Sequence, residues 1–236
     1  MSEAERRADS QASSPTALVG LAVAAVVVIL AGLLFVLARH LDWTLGWIYV
    51  GIIVVTYAIN LACVRRWNPG LIRQRVGFRR GSKTWDVVLV ALFTAAVSAI
   101  YVVALLEPRD EEWRAPGAAW LAGLAIFVPG WALAIWSMVV NPFFEKTVRI
   151  QTERGHRVID TGPYAYVRHP GYVGFAGWLL STPLLLGSAW ASVPALLAVV
   201  GLVVRTALED RTLHAELPGY AEYAARVRFR LIPGVW

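Results

Sequence analysis

The chain has 236 residues, 58% of them hydrophobic and only 16% charged, with a mean hydropathy of +0.57 and a formal net charge of +6. A soluble domain carries about 25% charged residues; here the deficit is gathered into long uncharged blocks, which argues against a soluble enzyme and for a single-domain, multi-pass helical membrane protein. The cations lie between the blocks, so they read as topology signals rather than a nucleic-acid-binding face, and the single Cys63 excludes a disulfide framework or a Cys-rich metal site.

Residues 1–16 are polar and small and read as a disordered tail. Ala17–Ala38 is an uncharged block of 22 residues, longer than the roughly 7–15 residues of a signal-peptide core, and is expected to be a retained membrane helix. Further blocks follow at Trp43–Val64, at Trp85–Leu106 with Asp86 at its edge, and at Ala115–Val140, where Asn141-Pro142 ends the run. The chain thus divides into a tail (1–16), four N-terminal membrane helices (17–140) and a C-terminal region (141–236) in which chemistry is expected. Nineteen of the 22 Lys and Arg fall in the tail, in 65–84, in 141–170 and in 205–236, leaving Arg39, Arg109 and Arg114 for the opposite side. Both termini are therefore expected on the cytoplasmic face. Compact length and the lone cysteine suggest a prokaryotic inner membrane.

Residues 143–161 alternate short apolar and polar pieces around Glu153-Arg154-Gly155 and suggest a small hairpin or extended pair. Next comes Gly162-Pro163-Tyr164-Ala165-Tyr166-Val167-Arg168-His169-Pro170-Gly171-Tyr172, a proline-punctuated turn of aromatics and cations. It opens a run of 34 uncharged residues, Gly171–Val204. Gly187-Ser188 and Ser192-Val193-Pro194 divide that run into two helices, about Gly171–Leu186 and Val193–Leu213. The first covers only about 24 Å at 1.5 Å per residue, short of a hydrocarbon core of about 30 Å. It is therefore expected to tilt or to pack inside the bundle. The fold class is all-α: about six membrane helices, the last two a helical hairpin, with a ligand site at the cytoplasmic end.

The hairpin returns Arg205-Thr206-Ala207-Leu208-Glu209-Asp210 to the depth of the His-Pro turn, with Arg205 and Glu209 at i and i+4 on one helix face. An Arg and a carboxylate at the end of a membrane helix point into the bundle or a wet cavity. Metal binding by His156, His169 and His214 is not expected, since their spacing fits no ligand set. No phosphate-binding glycine loop or dinucleotide fingerprint occurs.

Gly-Pro-Tyr-x-x-x-Arg-His-Pro-x-Tyr, an apolar hairpin, Arg-x-x-x-Glu-Asp and then Tyr-x-x-Tyr and Arg-x-x-Pro together resemble the isoprenylcysteine carboxyl methyltransferase family, relatives of the membrane phospholipid N-methyltransferases. The resemblance covers roughly Asn141 to Trp236; the first four blocks match only as membrane spans. It implies an integral membrane enzyme using S-adenosyl-L-methionine at the cytoplasmic side, with a lipophilic acceptor arriving from the bilayer. By motif, Gln151, His156, Arg157, Val158 and Ile159 would line the cofactor and Tyr164 would stack or hydrogen-bond on it. His169, Pro170, Gly171 and Tyr172 would wrap it, Glu209 would hold its polar end, and Arg205 would face the acceptor. Asp210 stands where a second Glu is common in the family. A carboxylate acceptor needs no base, whereas an amine or thiol would require one, with His169 or Glu209 as candidates. Two rival readings are an NADPH-dependent reductase of membrane sterols or isoprenoids, with Arg154, Arg157 and Arg168 as a phosphate-binding cluster, and a non-enzymatic membrane scaffold.

Overall fold

A computed structural model describes residues 43–74, 82–107 and 116–236. The expected tail (1–16), the expected helix Ala17–Ala38, the outer cations Arg39, Arg109 and Arg114, and most of the basic loop before Lys83 lie outside the described residues. Within them, every regular element is helical: α1 Thr44–Trp67, α2 Pro69–Gln74, α3 Thr84–Leu106, α4 Ala118–Val140, α5 Pro170–Leu186, α6 Ser192–Glu216 and α7 Tyr220–Arg226. Short 3₁₀ turns occupy Thr152–Arg154 and Gly162–Ala165.

Four of these helices, α1, α3, α4 and α6, are long and apolar enough to cross a membrane. Their outward residues are apolar too: Leu92, Leu121, Leu197 and Val200 are all exposed, as lipid-facing side chains must be because hydrocarbon solvates them. The fifth, α5, has 17 residues, of which ten are buried. At 1.5 Å per residue it spans about 26 Å, so the expected short arm packs inside the bundle. Proline at its first position costs no hydrogen bond. Gly187, at φ 66°, ends it, and the Gly187 and Ser188 amides donate back to Leu184 and Pro183 carbonyls.

Packing of α5 on α4 depends on small residues. A Cβ on Gly174 would lie 2.5 Å from the Gly130 carbonyl oxygen and 2.8 Å from the Ala134 amide, and Gly177 lies against Gly130 in the same seam. Lipid gives helices no hydrophobic reason to associate, so close backbone approach through such residues supplies the attraction. A hydroxyl cluster ties α1, α3 and α5 deeper in the bundle: Tyr49 Oη lies 3.2 Å from Tyr101 Oη and 3.1 Å from Thr182 Oγ1, and accepts from Trp178 Nε1 at 3.2 Å. At the basic end, Asn68 donates to the Met138 and Asn141 carbonyls at 2.7 and 3.1 Å. That contact joins the end of α1 to the end of α4.

Two expectations need revision. No strand or extended pair forms in residues 143–161. Gly155, at φ 63°, closes a single tight turn, and the flanking arms bond elsewhere: Val148 to Lys83 and Asp86, and His156 back to Gln151. The last long helix also runs three residues past Leu213, to Glu216, where the Lys83–Glu216 ion pair at 2.6 Å fastens it to the residue before α3.

Candidate functional site

The chain leaving α4 cannot continue as a helix through Pro142. Asn141 Oδ1 instead accepts the Phe143 amide at 2.8 Å and its Nδ2 reaches Tyr164 Oη at 3.2 Å. The loop then turns over a cavity of about 440 Å³ at the basic end of the bundle, within the range of about 300–1,000 Å³ usual for small-molecule sites. Gln151, His156, Arg157, Val158, Ile159, Tyr164, His169, Gly171, Tyr172, Arg205 and Glu209 all line it. Residues that the sequence separates by up to 58 positions thus meet around one space. Pro170 is buried but is not among the lining residues.

The loop wall is built from satisfied polar groups. Gln151, only 1% exposed, donates to the Phe143 carbonyl at 2.8 Å and accepts from Arg154, which also donates to the Pro142 carbonyl at 3.0 Å. Gln151 therefore holds the loop closed as well as lining it. Arg149 is clamped by Glu145 at 2.7 and 2.9 Å and by Glu153 at 2.8 Å. His156 packs against the Phe143 ring at 4.5 Å, and its Nδ1 accepts the Gln151 amide at 3.3 Å. Burial, reinforced by Arg154, pushes the His156 pKa down to about 4. The ring is thus neutral at pH 7, with its proton on Nε2.

A second polar cluster fixes the His-Pro turn. Asp210, 1% exposed, accepts from Arg168 Nε at 2.8 Å and Nη2 at 3.1 Å, from Arg230 Nε at 2.7 Å and from Tyr220 Oη at 2.9 Å. His169 Nε2 lies 3.3 Å from the same carboxylate and 3.4 Å from Tyr220 Oη. Arg168 Nη1 donates to the Val227 and Arg228 carbonyls, and the Arg168 and His169 amides pair with Phe229 and Arg230. Tyr223 Oη donates to the Tyr164 carbonyl at 2.7 Å. Burial raises the hydroxyl pKa values of Tyr164, Tyr220 and Tyr223, so all three stay protonated donors. This hub binds the residues after α6 to the turn before α5. The motif positions Asp210, Tyr220, Tyr223 and Arg230 carried that signal in the sequence, though only the folded chain assigns them a common task.

The third cluster occupies the α5–α6 face. Tyr172 Oη donates to Glu209, and the Tyr172 and His169 rings lie parallel, 5.7 Å apart. Arg205 Cζ sits over the Tyr172 ring at 5.4 Å. The partner of Arg205 was not legible as such: Asp86, 0% exposed, accepts its Nε at 2.7 Å and its Nη2 at 3.3 Å, and also takes the Val148 amide at 2.6 Å. A carboxylate next to an apolar membrane block was the available clue. One helical turn or more below Asp86, Val90, Phe93 and Thr94 of α3 join Phe144 and Phe175 in an apolar wall of the same cavity. The side chain of Thr94 is exposed on the flank of the bundle.

This arrangement can hold a medium-sized ligand with a polar head and present it to an apolar chain. It suits a phosphate cluster poorly. Arg154 and Arg168 spend their guanidinium groups on the protein, which leaves only the exposed Arg157 of the trio considered for NADPH.

Residues 123–215 match the family described as isoprenylcysteine carboxyl methyltransferase (ICMT). The Schizosaccharomyces pombe protein-S-isoprenylcysteine O-methyltransferase is 47% identical over 45 residues, 19% of each chain. A probable protein-S-isoprenylcysteine O-methyltransferase of Oryza sativa subsp. indica is 32% identical over 87 residues, 35% of this chain and 42% of its own. The matched stretches thus span from about a fifth to less than half of these relatives. The uncharacterized protein YpbQ of Bacillus subtilis is 23% identical over 169 residues, 71% of this chain and 95% of its own. The solved structure of the eukaryotic intramembrane Ras methyltransferase ICMT superposes with a TM-score of 0.60 at 20% identity, over 86% of this chain and 74% of that one. At that identity the likeness concerns the fold. The matched region encloses the hairpin and most of the cavity wall, so it is this C-terminal part of a multi-pass membrane protein that is similar to the isoprenylcysteine carboxyl methyltransferase family.

Proposed function

We propose that this protein is an S-adenosyl-L-methionine-dependent methyltransferase that modifies a lipophilic acceptor at the cytoplasmic face of the membrane. The observation that carries the reading is a single cavity with two ends. A polar end is formed by Tyr172, Glu209 and Arg205, and an apolar end by Val90, Phe93, Thr94 and Phe175 on the flank of the bundle. Nineteen of the 22 Lys and Arg lie in segments assigned to one side, which supports a cytoplasmic location for the polar end.

The residues present fit the cofactor's chemistry. Phe143, Tyr164 and the neutral His156 offer flat surfaces and a donor for an adenine, and Glu209 offers an acceptor for an ammonium or ribose. Glu145 and Glu209 place carboxylates on a cavity that must accommodate a sulfonium cation. When bound, S-adenosyl-L-methionine supplies an electrophilic methyl group. Phe143, Tyr164, His156 and Glu209 would hold it so that its methyl group could pass to an acceptor atom, with the carbon–sulfur electron pair staying on S-adenosylhomocysteine. Such an in-line displacement depends on alignment, so the chain's residues bind, orient and exclude water. The yeast and rice relatives are named for isoprenylcysteine O-methylation; a prenylated cysteine carboxylate is accordingly the favoured acceptor. An ionised carboxylate requires no base. His169 Nε2 is engaged by Asp210 and Tyr220, so its ring serves as a wall and as an anchor for the turn, and Glu209 becomes the better base should the acceptor be an amine or thiol.

Calorimetric titration of purified protein with S-adenosylhomocysteine tests the reading. Wild-type protein is expected to bind and Glu209→Ala to lose affinity. Wild-type protein that binds no better than the variant, or is stabilised by NADPH instead, refutes it. Methyl-labelled S-adenosyl-L-methionine with membrane extracts then identifies the acceptor by the lipid that becomes labelled.

A further inference from the structure

The Asp86–Arg205 pair has a geometry that the family-matched residues do not contain, since Asp86 lies outside 123–215. Arg205 has five N–H donors in a rigid fork. Nε and Nη2 are taken side-on by both oxygens of Asp86, and Nη2 donates also to the Lys146 carbonyl at 2.8 Å. The Nη1 group has no protein partner among the described residues, and the guanidinium carbon lies over the Tyr172 ring on the cavity wall. The side chain of Arg205 is only 15% exposed and that of Asp86 is fully buried. Few rotamers remain open to the pair.

Resting on the methyl-transfer reading, we propose that Asp86 is the positioning residue for Arg205: it fixes the guanidinium so that Nη1 alone is offered to the acceptor. The consequence differs from the side-on, two-bond grip expected for a free arginine. The Nε/Nη2 edge that would make that grip is already filled by Asp86, so an acceptor carboxylate is oriented through one nitrogen. Asp86 also neutralises Arg205, which keeps the cation from holding an anionic acceptor or a charged headgroup too tightly for turnover. Because Asp86, Val90, Phe93 and Thr94 follow one another along one face of α3 at helical spacing, the same helix supplies the head-positioning carboxylate and the wall for the apolar chain.

Reconstituted full-length protein with N-acetyl-S-farnesylcysteine as the acceptor probe and labelled S-adenosyl-L-methionine gives the test. Asp86→Asn keeps the shape but must oppose an amide NH₂ to either Arg205 or the Val148 amide. We expect its S-adenosylhomocysteine affinity to stay within about threefold of wild type while kcat falls about 100-fold, the cost of a misplaced orienting group. Asp86→Glu should recover part of that loss. Ser82→Ala removes the neighbouring Ser82–Thr147 hydrogen bond of 2.8 Å without touching the pair and should leave kcat unchanged. Unchanged kcat in Asp86→Asn overturns the proposal, as does a parallel collapse of S-adenosylhomocysteine binding or an equal loss in Ser82→Ala, either of which makes Asp86 a support for the whole pocket. Wild-type protein that binds no S-adenosylhomocysteine refutes the methyltransferase reading itself, and this inference with it. Binding without transfer to the probe, but with Asp86→Asn reducing the labelling of membrane lipid, supports the positioning role with a different acceptor.

Discussion

Replacing Asp210 by alanine should destabilise the protein more than any single surface change, and the structure indicates where the cost arises. The carboxylate meets Arg168, Arg230, Tyr220 and His169 at once. Arg230 has a side chain 34% exposed and can turn toward water, so its share is small, about 0–1 kcal/mol for an exposed pair. Arg168 cannot, with a side chain only 6% exposed. Removing one partner of a buried pair costs about 3–5 kcal/mol, because the remaining charge stays desolvated and unpaired. At about 2–4 °C per kcal/mol for a chain of this size, Asp210→Ala should lower Tm by about 6–20 °C. Thermal unfolding in detergent, followed by circular dichroism, measures it. Arg230→Ala serves as the comparison and should shift Tm by only a few degrees. Pairing Asp210→Ala with Arg168→Met should recover part of the loss, since the stranded cation is gone. A drop for Asp210→Ala no larger than that for Arg230→Ala, or no recovery in the double variant, would refute the assignment of the penalty to buried Arg168.

Further outcomes follow from the same geometry. Gly174→Ala places a methyl group 2.5 Å from the Gly130 carbonyl oxygen and should cost about 1–3 kcal/mol of stability by forcing α4 and α5 apart, read as a lowered Tm in detergent. Tyr172→Phe removes the hydroxyl that holds Glu209; we predict weaker S-adenosylhomocysteine binding by about 10–100-fold, worth roughly one hydrogen bond to a charged group, measured by calorimetry. Arg205→Ala should retain cofactor binding and lose turnover, while stranding Asp86 lowers Tm; equal loss of binding and turnover would break that division. His156 titrates at about 4 in the fold against about 6.5 in an unfolded chain. Its neutral ring therefore adds stability that is fully present above pH 6.5 and is lost as pH falls from there to about 4. A His156→Phe variant should show a shallower fall in Tm across that window than the wild type.

Some of this was legible in the sequence because membrane physics reads composition directly. Lipid requires uncharged blocks of helical length, so α1, α3, α4 and α6 could be bounded to within about three residues at each end. Gly187 and the Ser-x-Pro start of α6 marked the hairpin turn because they leave or begin a helix at low cost. The stretch at 143–161 misled because alternation of apolar and polar residues signals a strand only when a partner strand exists. Here the alternation serves a loop whose inward residues face a cavity and whose backbone bonds to α3. Gly130, Gly174 and Gly177 gave no sequence signal beyond ordinary glycines, since their role depends on two helices meeting at that register.

By itself the sequence determined the all-helical membrane class of the described residues, the terminal hairpin, and the set of residues that gather at the His-Pro turn. Those features depend on local hydrophobicity, backbone preferences and motif order, which a linear chain displays. Tertiary structure alone decided the partners: Asp86 with Arg205 across 119 positions, Asp210 with both Arg168 and Arg230, and the α3 face that extends the polar pocket toward lipid. A charge inside a membrane protein must find its counter-charge wherever the fold supplies one. Sequence can announce that need, but only the packing of helices selects which side chain answers it.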